Sequence, residues 1–215
     1  MIPLNSARIA VRYLRTIGVA SAALIAIVFA ASASADTSKP PSSALPAAAI
    51  ARTGVDYLPP VNLIDQNGKA VSLSSFKGRP VLIGFIHTSC KGVCEMLTAK
   101  MKQVAQSLGT QFNSSVTMVS VTTDPDEDNP AQLLKYAKAQ GVNVQGYTFL
   151  TGKTQQIDRL LTLYDVPDEG PDEATTHVLD LFLISPDGSG MRKYNGLSVP
   201  SQALASDIRS SIPRR

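Results

Sequence analysis

The stretch Pro80–Ile86, PVLIGFI, constrains the fold more than any other part of the chain. It is apolar almost without interruption. A run of that kind suits a strand covered on both faces, as in the centre of an α/β sheet. Immediately after it, from Cys90 to Leu108, the apolar residues Val93, Met96, Leu97, Met101, Val104, Ala105 and Leu108 recur at helical spacing. A buried strand is therefore expected to hand over to an amphipathic helix at the two cysteines. Further strands are expected at Val116–Val121, Tyr147–Leu150 and Val178–Ile184. Between them, Asn129-Pro130 supplies an N-cap and a first-turn proline for a helix that stops at Gly141. Thr154–Tyr164 puts Ile157, Leu160, Leu161 and Tyr164 on one helical face.

Both ends add a hairpin. Val61–Ile64 and Ala70–Leu73 flank Asp65-Gln66-Asn67-Gly68, whose Asn-Gly pair is a strong turn signal. The turn Pro186-Asp187-Gly188 joins Val178–Ile184 to Met191–Tyr194, and Ser201–Ser211 closes the chain as a helix. The expected fold is α/β, a thioredoxin-like three-layer sandwich with an N-terminal β-hairpin and a C-terminal hairpin plus helix. It occupies 54–215, an ordinary size for one domain. Residues 36–53, rich in Ser, Pro and Ala without a regular period, read as a flexible linker.

Residues 1–35 read as an address. Arg8, Arg12 and Arg15 precede the apolar run Ile17–Ala31, and Ala33-Ser34-Ala35 stands before Asp36, the layout of a secretory signal. The arginines are not adjacent, so a twin-arginine signal is not supported. The 19 weakly hydrophobic residues from Ile17 to Ala35 lie near the lower limit for a bilayer span, which makes an uncleaved membrane anchor the competing reading. On either reading the domain is exported and periplasmic, soluble or tethered to the inner membrane. The three leader arginines also account for the net charge of +3, leaving 17 basic residues against 17 acidic ones. No basic stripe remains, which excludes nucleic acid as a partner. With 44% hydrophobic and 17% charged residues, global disorder is excluded too.

The chemistry rests on two cysteines and two histidines. Cys90 and Cys94 are the only cysteines and form a C-x3-C pair at the strand-to-helix junction. Helix N-termini lower thiol pKa values, and Lys91 adds a cation, so thiolates suited to attacking disulfides or binding metal are expected there. A structural disulfide is the common fate of paired cysteines in an exported protein. It would add only about 2 kcal/mol for a five-residue loop, a small return for a domain with a full core. The spacing is one residue longer than the thioredoxin C-x-x-C, and His87 stands where a peroxiredoxin has Thr or Ser. His177 is expected either as an ordinary loop residue or as a third donor, because in thioredoxin-like topology the loop before the last central strand, which carries it, lies beside the cysteine helix. Two thiolates and an imidazole make a soft three-donor set that suits Cu(I), can take Cu(II), and leaves zinc one ligand short. His87 is expected either as a half-exposed strand-end residue or as a supporting donor. The acidic run Asp124-Pro125-Asp126-Glu127-Asp128 falls on the sheet edge where open α/β folds bind ligands, and is expected either to cap the next helix and stay solvated or to serve as an outer carboxylate near a metal or a docking surface.

The string GFIHTSCKGVC at 84–94, the DPxxD loop at Asp124–Asp128 and His177-Val178-Leu179-Asp180, with the histidine 83 residues after Cys94, together resemble the Sco/SenC family. The resemblance covers about Leu58 to Ser211. It implies a thioredoxin-like fold, a copper ion held by Cys90, Cys94 and His177 with Asp124 and Asp128 in a supporting role, and a metallochaperone rather than an enzyme. The implied partner is the copper-site subunit of cytochrome c oxidase during assembly, or another exported copper or thiol protein. The alternative is a thiol-disulfide oxidoreductase in which Cys90 attacks and Cys94 resolves. Family members typically read C-P-x-x-C-P, whereas Lys91 and Glu95 take the two proline positions here. Glu95 is expected to raise the thiol pKa values and to favour metal retention over fast exchange.

Overall fold

Every residue of Val81–Ile86 is buried, and this strand lies inside an eight-stranded sheet. In the computed structural model the described residues are 48–50, 54–166 and 179–214. Their elements are β1 (Ala48–Ile50), β2 (Asn62–Asp65), β3 (Ala70–Ser72), β4 (Val81–Ile86), α1 (Val93–Leu108), β5 (Thr117–Thr122), α2 (Pro130–Ala139), β6 (Tyr147–Thr151), α3 (Thr154–Tyr164), β7 (Asp180–Ile184), β8 (Met191–Asn195) and α4 (Ser201–Ser210). The strand order is β1-β8-β7-β4-β5-β6-β2-β3.

β4, β5 and β6 run parallel, joined by α1 and α2, so the ends Ile86, Thr122 and Thr151 share one edge of the sheet. β7 pairs antiparallel with β4 on the other side. The alternation of side chains along β4 divides the core. Leu82 and Ile86 join α1, α2 and α4 in one apolar cluster, while Val81, Ile83 and Phe85 join α3, Tyr57 and Phe182 in the other. Helices thus cover both faces, which is the three-layer arrangement expected. The hairpin at Asn67-Gly68 forms in the expected place, with Asn62 opposite Ser72 and Gly68 at φ +81°. α3 has the expected bounds, and Asn129 caps α2 by accepting the Gln132 N–H at 3.0 Å.

Two local features differ from the sequence reading. Ala48–Ile50, inside the stretch read as a linker, pairs antiparallel with Met191–Lys193 of β8 and extends the sheet. Three residues are too few to show an alternating pattern. α1 starts at Val93 rather than Cys90, because Gly92 sits at φ +103° and ψ −86°, a conformation that cannot form part of a right-handed helix. Gly84 serves close packing instead. A Cβ there would come within 3.1 Å of Met101 Sδ and 3.3 Å of Leu181, so glycine lets α1 close onto β4.

Candidate metal centre

At the end of β4 the Ile86 carbonyl accepts the Thr123 N–H at 2.8 Å, fixing the strand end to the segment after β5. His87 is the next residue, and its carbonyl accepts the Cys90 N–H at 3.3 Å, which folds residues 87–90 into a turn. The chain then reverses at Gly92, whose carbonyl accepts the Met96 N–H at 2.8 Å and opens α1. Cys94, in the first turn, is wholly buried against the α1 side of the sheet, while Cys90 and His87 are half-buried at the surface. One ligand atom from each of His87, Cys90 and Cys94 lies within 4.8 Å of the other two. His87 Nδ1 is also 2.9 Å from Ser89 Oγ.

The acidic loop reaches this turn through Asp128, the one buried acidic side chain among the described residues. Its carboxylate accepts the Thr88 N–H at 3.0 Å, the Thr88 hydroxyl, and the Thr122 hydroxyl at 2.6 Å. It therefore locks the residue between His87 and Ser89 to the end of β5. Asp124 works more locally. It accepts the Glu127 N–H at 3.4 Å, while its own N–H donates to Thr122 Oγ1 at 2.9 Å. Asp126 and Glu127 are exposed.

Both cysteines are free thiols. Burial pushes the Cys94 thiol well above its ordinary value, and its hydrogen bond with Cys90 adds to the effect. A bond with the His87 backbone acts in the opposite sense, while the charges of Cys90 and Asp128 raise it further. The lowering expected from the helix N-terminus is thus overridden at Cys94, because desolvation of a thiolate outweighs a partial dipole charge. Lys91 and Glu95 are both exposed, and the carboxylate that raises Cys94 is the buried Asp128 rather than Glu95. Beneath Cys94 lies Tyr136, its hydroxyl 2.9 Å from Thr98 Oγ1 and its pKa also raised by burial.

Of the residues singled out in the sequence, the structure gathers Cys90, Cys94, His87 and Asp128, and leaves Asp124 on its own turn. His177 falls outside the described residues. Thr88, Ser89 and Thr122 were not singled out. Their signal was a hydroxyl next to a candidate donor or at the last position of a buried strand, which is faint on its own. The chemistry open to the cluster is that of two soft sulfurs and one imidazole nitrogen, able to hold a thiophilic cation or to cycle between dithiol and disulfide.

The family model described as SCO1/SenC matches residues 51–213. The SCO1 protein homolog of Bacillus subtilis (strain 168) is 33% identical over 159 residues, which span 71% of this chain and 81% of that protein. The structure of Bradyrhizobium japonicum ScoI with copper bound superposes with a TM-score of 0.60 at 28% identity, covering 72% of this chain and 98% of that one. BsSco, a member of the Sco family of cytochrome c oxidase assembly proteins in which a disulfide switch was identified, gives 0.64 at 31% identity, over 72% of this chain and 92% of its own. A match running from the end of β1 to beyond α4, with the cysteine pair inside it, leaves no ambiguity of kinship: the chain belongs to the SCO1/SenC family.

Proposed function

We propose that this protein is an exported copper chaperone that carries one copper ion on Cys90, Cys94 and His177 and delivers it to the copper site of cytochrome c oxidase during assembly. The observation that carries the reading is the convergence of the two free thiols of Cys90 and Cys94 with the His87 imidazole within 4.8 Å at the sheet edge, and His177 enters the ligand set through the family resemblance. Two thiolates with an imidazole favour copper, Cu(I) above all, over harder ions. The copper-bound ScoI relative and the assembly role of the Sco family to which BsSco belongs support the same cargo and client. Delivery proceeds by ligand exchange, with the partner's donors displacing these one at a time. Because the ligands are thiolates, oxidation of Cys90 and Cys94 to a disulfide releases the ion, and the site is gated by redox state. Residues 1–35 direct the chain to the periplasm, where it acts either released or tethered to the inner membrane. Among the described residues no helix is long and apolar enough to cross a membrane.

Thiol-disulfide exchange is the second reading, favoured by one feature: a half-exposed Cys90 beside a buried Cys94 is the asymmetry of an attacking and a resolving thiol. The raised Cys94 pKa counts against it, since a protonated thiol resolves slowly, whereas a bound metal displaces that proton. Anaerobic titration of the reduced protein with Cu(I) against a competing chelator separates the two. One tightly held copper, weakened in His177→Ala while disulfide exchange with a model substrate is unchanged, supports the chaperone. No copper taken from the chelator, with both thiols titrating free, overturns it.

A further inference from the structure

We infer that His87 is a copper donor in its own right, so that residues 87–94 alone hold one Cu(I) through the His87 imidazole and the Cys90 and Cys94 thiolates. This rests on the copper reading above and deepens it by naming a donor independent of His177.

The first ground is distance. Sulfurs at about 2.3 Å from a shared ion, the value for zinc thiolates, lie about 4 Å apart in a trigonal arrangement. The three donor atoms already lie within 4.8 Å of one another, so closing on an ion takes side-chain shifts of under an ångström each. The second ground is the partner of the ring. Metal-bound histidines nearly always donate their other ring N–H to a nearby acceptor, which fixes tautomer and orientation. In the tautomer with the proton on Nδ1, Ser89 Oγ, 2.9 Å from that nitrogen, is the acceptor and Nε2 of His87 carries the free lone pair.

The third ground is how firmly the segment is held. Thr88, between His87 and Ser89, gives both its N–H and its hydroxyl to the buried Asp128. Ile86, on the other side of His87, is tied to Thr123 through its carbonyl. Cys90 is bonded back to the His87 carbonyl, and Cys94 is fixed on the buried face of the first turn of α1. All three donors thus come from one eight-residue segment ordered before the ion arrives, and binding loses little conformational freedom. Copper held this way has a complete three-coordinate shell without any residue from elsewhere in the chain. A second imidazole can then join or leave while both thiolates stay bound, which suits an ion that must be handed on.

The test uses the reduced full-length protein, anaerobic Cu(I) with a competing chelator, and X-ray absorption at the copper edge. His177→Ala is expected to keep one Cu(I) coordinated by two sulfurs and one nitrogen. Adding His87→Ala, or His87→Gln, which keeps a polar side chain but a poor donor, is expected to remove the nitrogen and weaken binding at least about tenfold. Ser89→Ala in the His177→Ala background is expected to weaken binding about tenfold while keeping the nitrogen. Copper held by two sulfurs alone in His177→Ala, or an affinity there insensitive to His87, overturns this inference and leaves the chaperone standing. A wild-type protein that takes no copper, with both thiols free, overturns the chaperone and this inference together.

Discussion

The two faces of one sheet are built from different materials. Against α3 lies an aromatic cluster in which Phe85, Tyr164 and Phe182 meet edge to face, with centroids 5.1 to 5.8 Å apart. Its prominent polar link is the Tyr164 hydroxyl donating to the Tyr57 carbonyl at 2.5 Å. Against α1 the core includes sulfur and several hydroxyls. Thr98 pairs with Tyr136, Ser120 lies 3.0 Å from the Tyr147 hydroxyl, and that hydroxyl reaches Met101 Sδ at 3.2 Å. Burial of aromatic surface stabilises without strong directional demands, whereas paired hydroxyls fix how a helix sits. The face that needs a fixed helix is the one that presents Cys94. The α3 face therefore supplies stability, and the α1 face supplies position.

The largest effect that can break this division is on the aromatic side. Phe182 is fully buried, and Phe182→Ala is expected to cost about 3–5 kcal/mol in urea unfolding, from lost transfer energy and the cavity left behind. Copper affinity per folded molecule should not change. If it falls in step with stability, the two faces are not separable and the comparison fails.

A smaller stability effect with a larger consequence at the site is expected from Asp128→Ala. The Thr88 N–H and the Thr122 hydroxyl lose their acceptor, at a cost of about 1–3 kcal/mol. The turn carrying His87 and Cys90 loses its tie to β5, so Cu(I) affinity should drop by more than in Phe182→Ala. Equal copper affinity in the two variants would mean that the turn holds itself without Asp128.

The same contrast explains what could be read in advance. PVLIGFI and the one-sided pattern of Thr154–Tyr164 carry local periodicity, and local periodicity survives into the fold. Cys90 and Cys94 were legible because their residue types and position leave few roles. A supporting role for Asp128 was legible, but its burial was not. The run DPDED looks solvated, and the partner that makes burial affordable lies 40 residues away on another loop. His87 was visible as a strand-end residue. That its ring comes within reach of both sulfurs depends on the reversal at Gly92, a backbone conformation that no hydrophobic pattern announces. β1 was missed for the same reason in reverse: its existence depends on β8, far along the chain.

The smallest effect sharpens the comparison by pH. The Cys94 thiol is held above its ordinary value of 9.0 by burial, so the folded protein binds that proton more tightly than the unfolded chain does. Below pH 9.0 both states are protonated and the contribution to stability is fully present. As pH rises beyond it, the unfolded thiol ionises first and stability falls, by at most about 1.4 kcal/mol per pH unit for a single group. The buried Tyr164 of the aromatic face behaves in the same sense, but its ordinary value is 10.0, so its loss begins later. Reduced, metal-free protein should therefore begin to weaken just above pH 9.0, and Cys94→Ser should delay that onset towards the tyrosine range. Copper loading should act in the same direction, since the metal removes the proton from Cys94 in the folded state. Urea unfolding of the three samples across this range checks the order. An identical onset in wild type and Cys94→Ser would mean that the α1 face does not hold Cys94 as deeply as its packing implies.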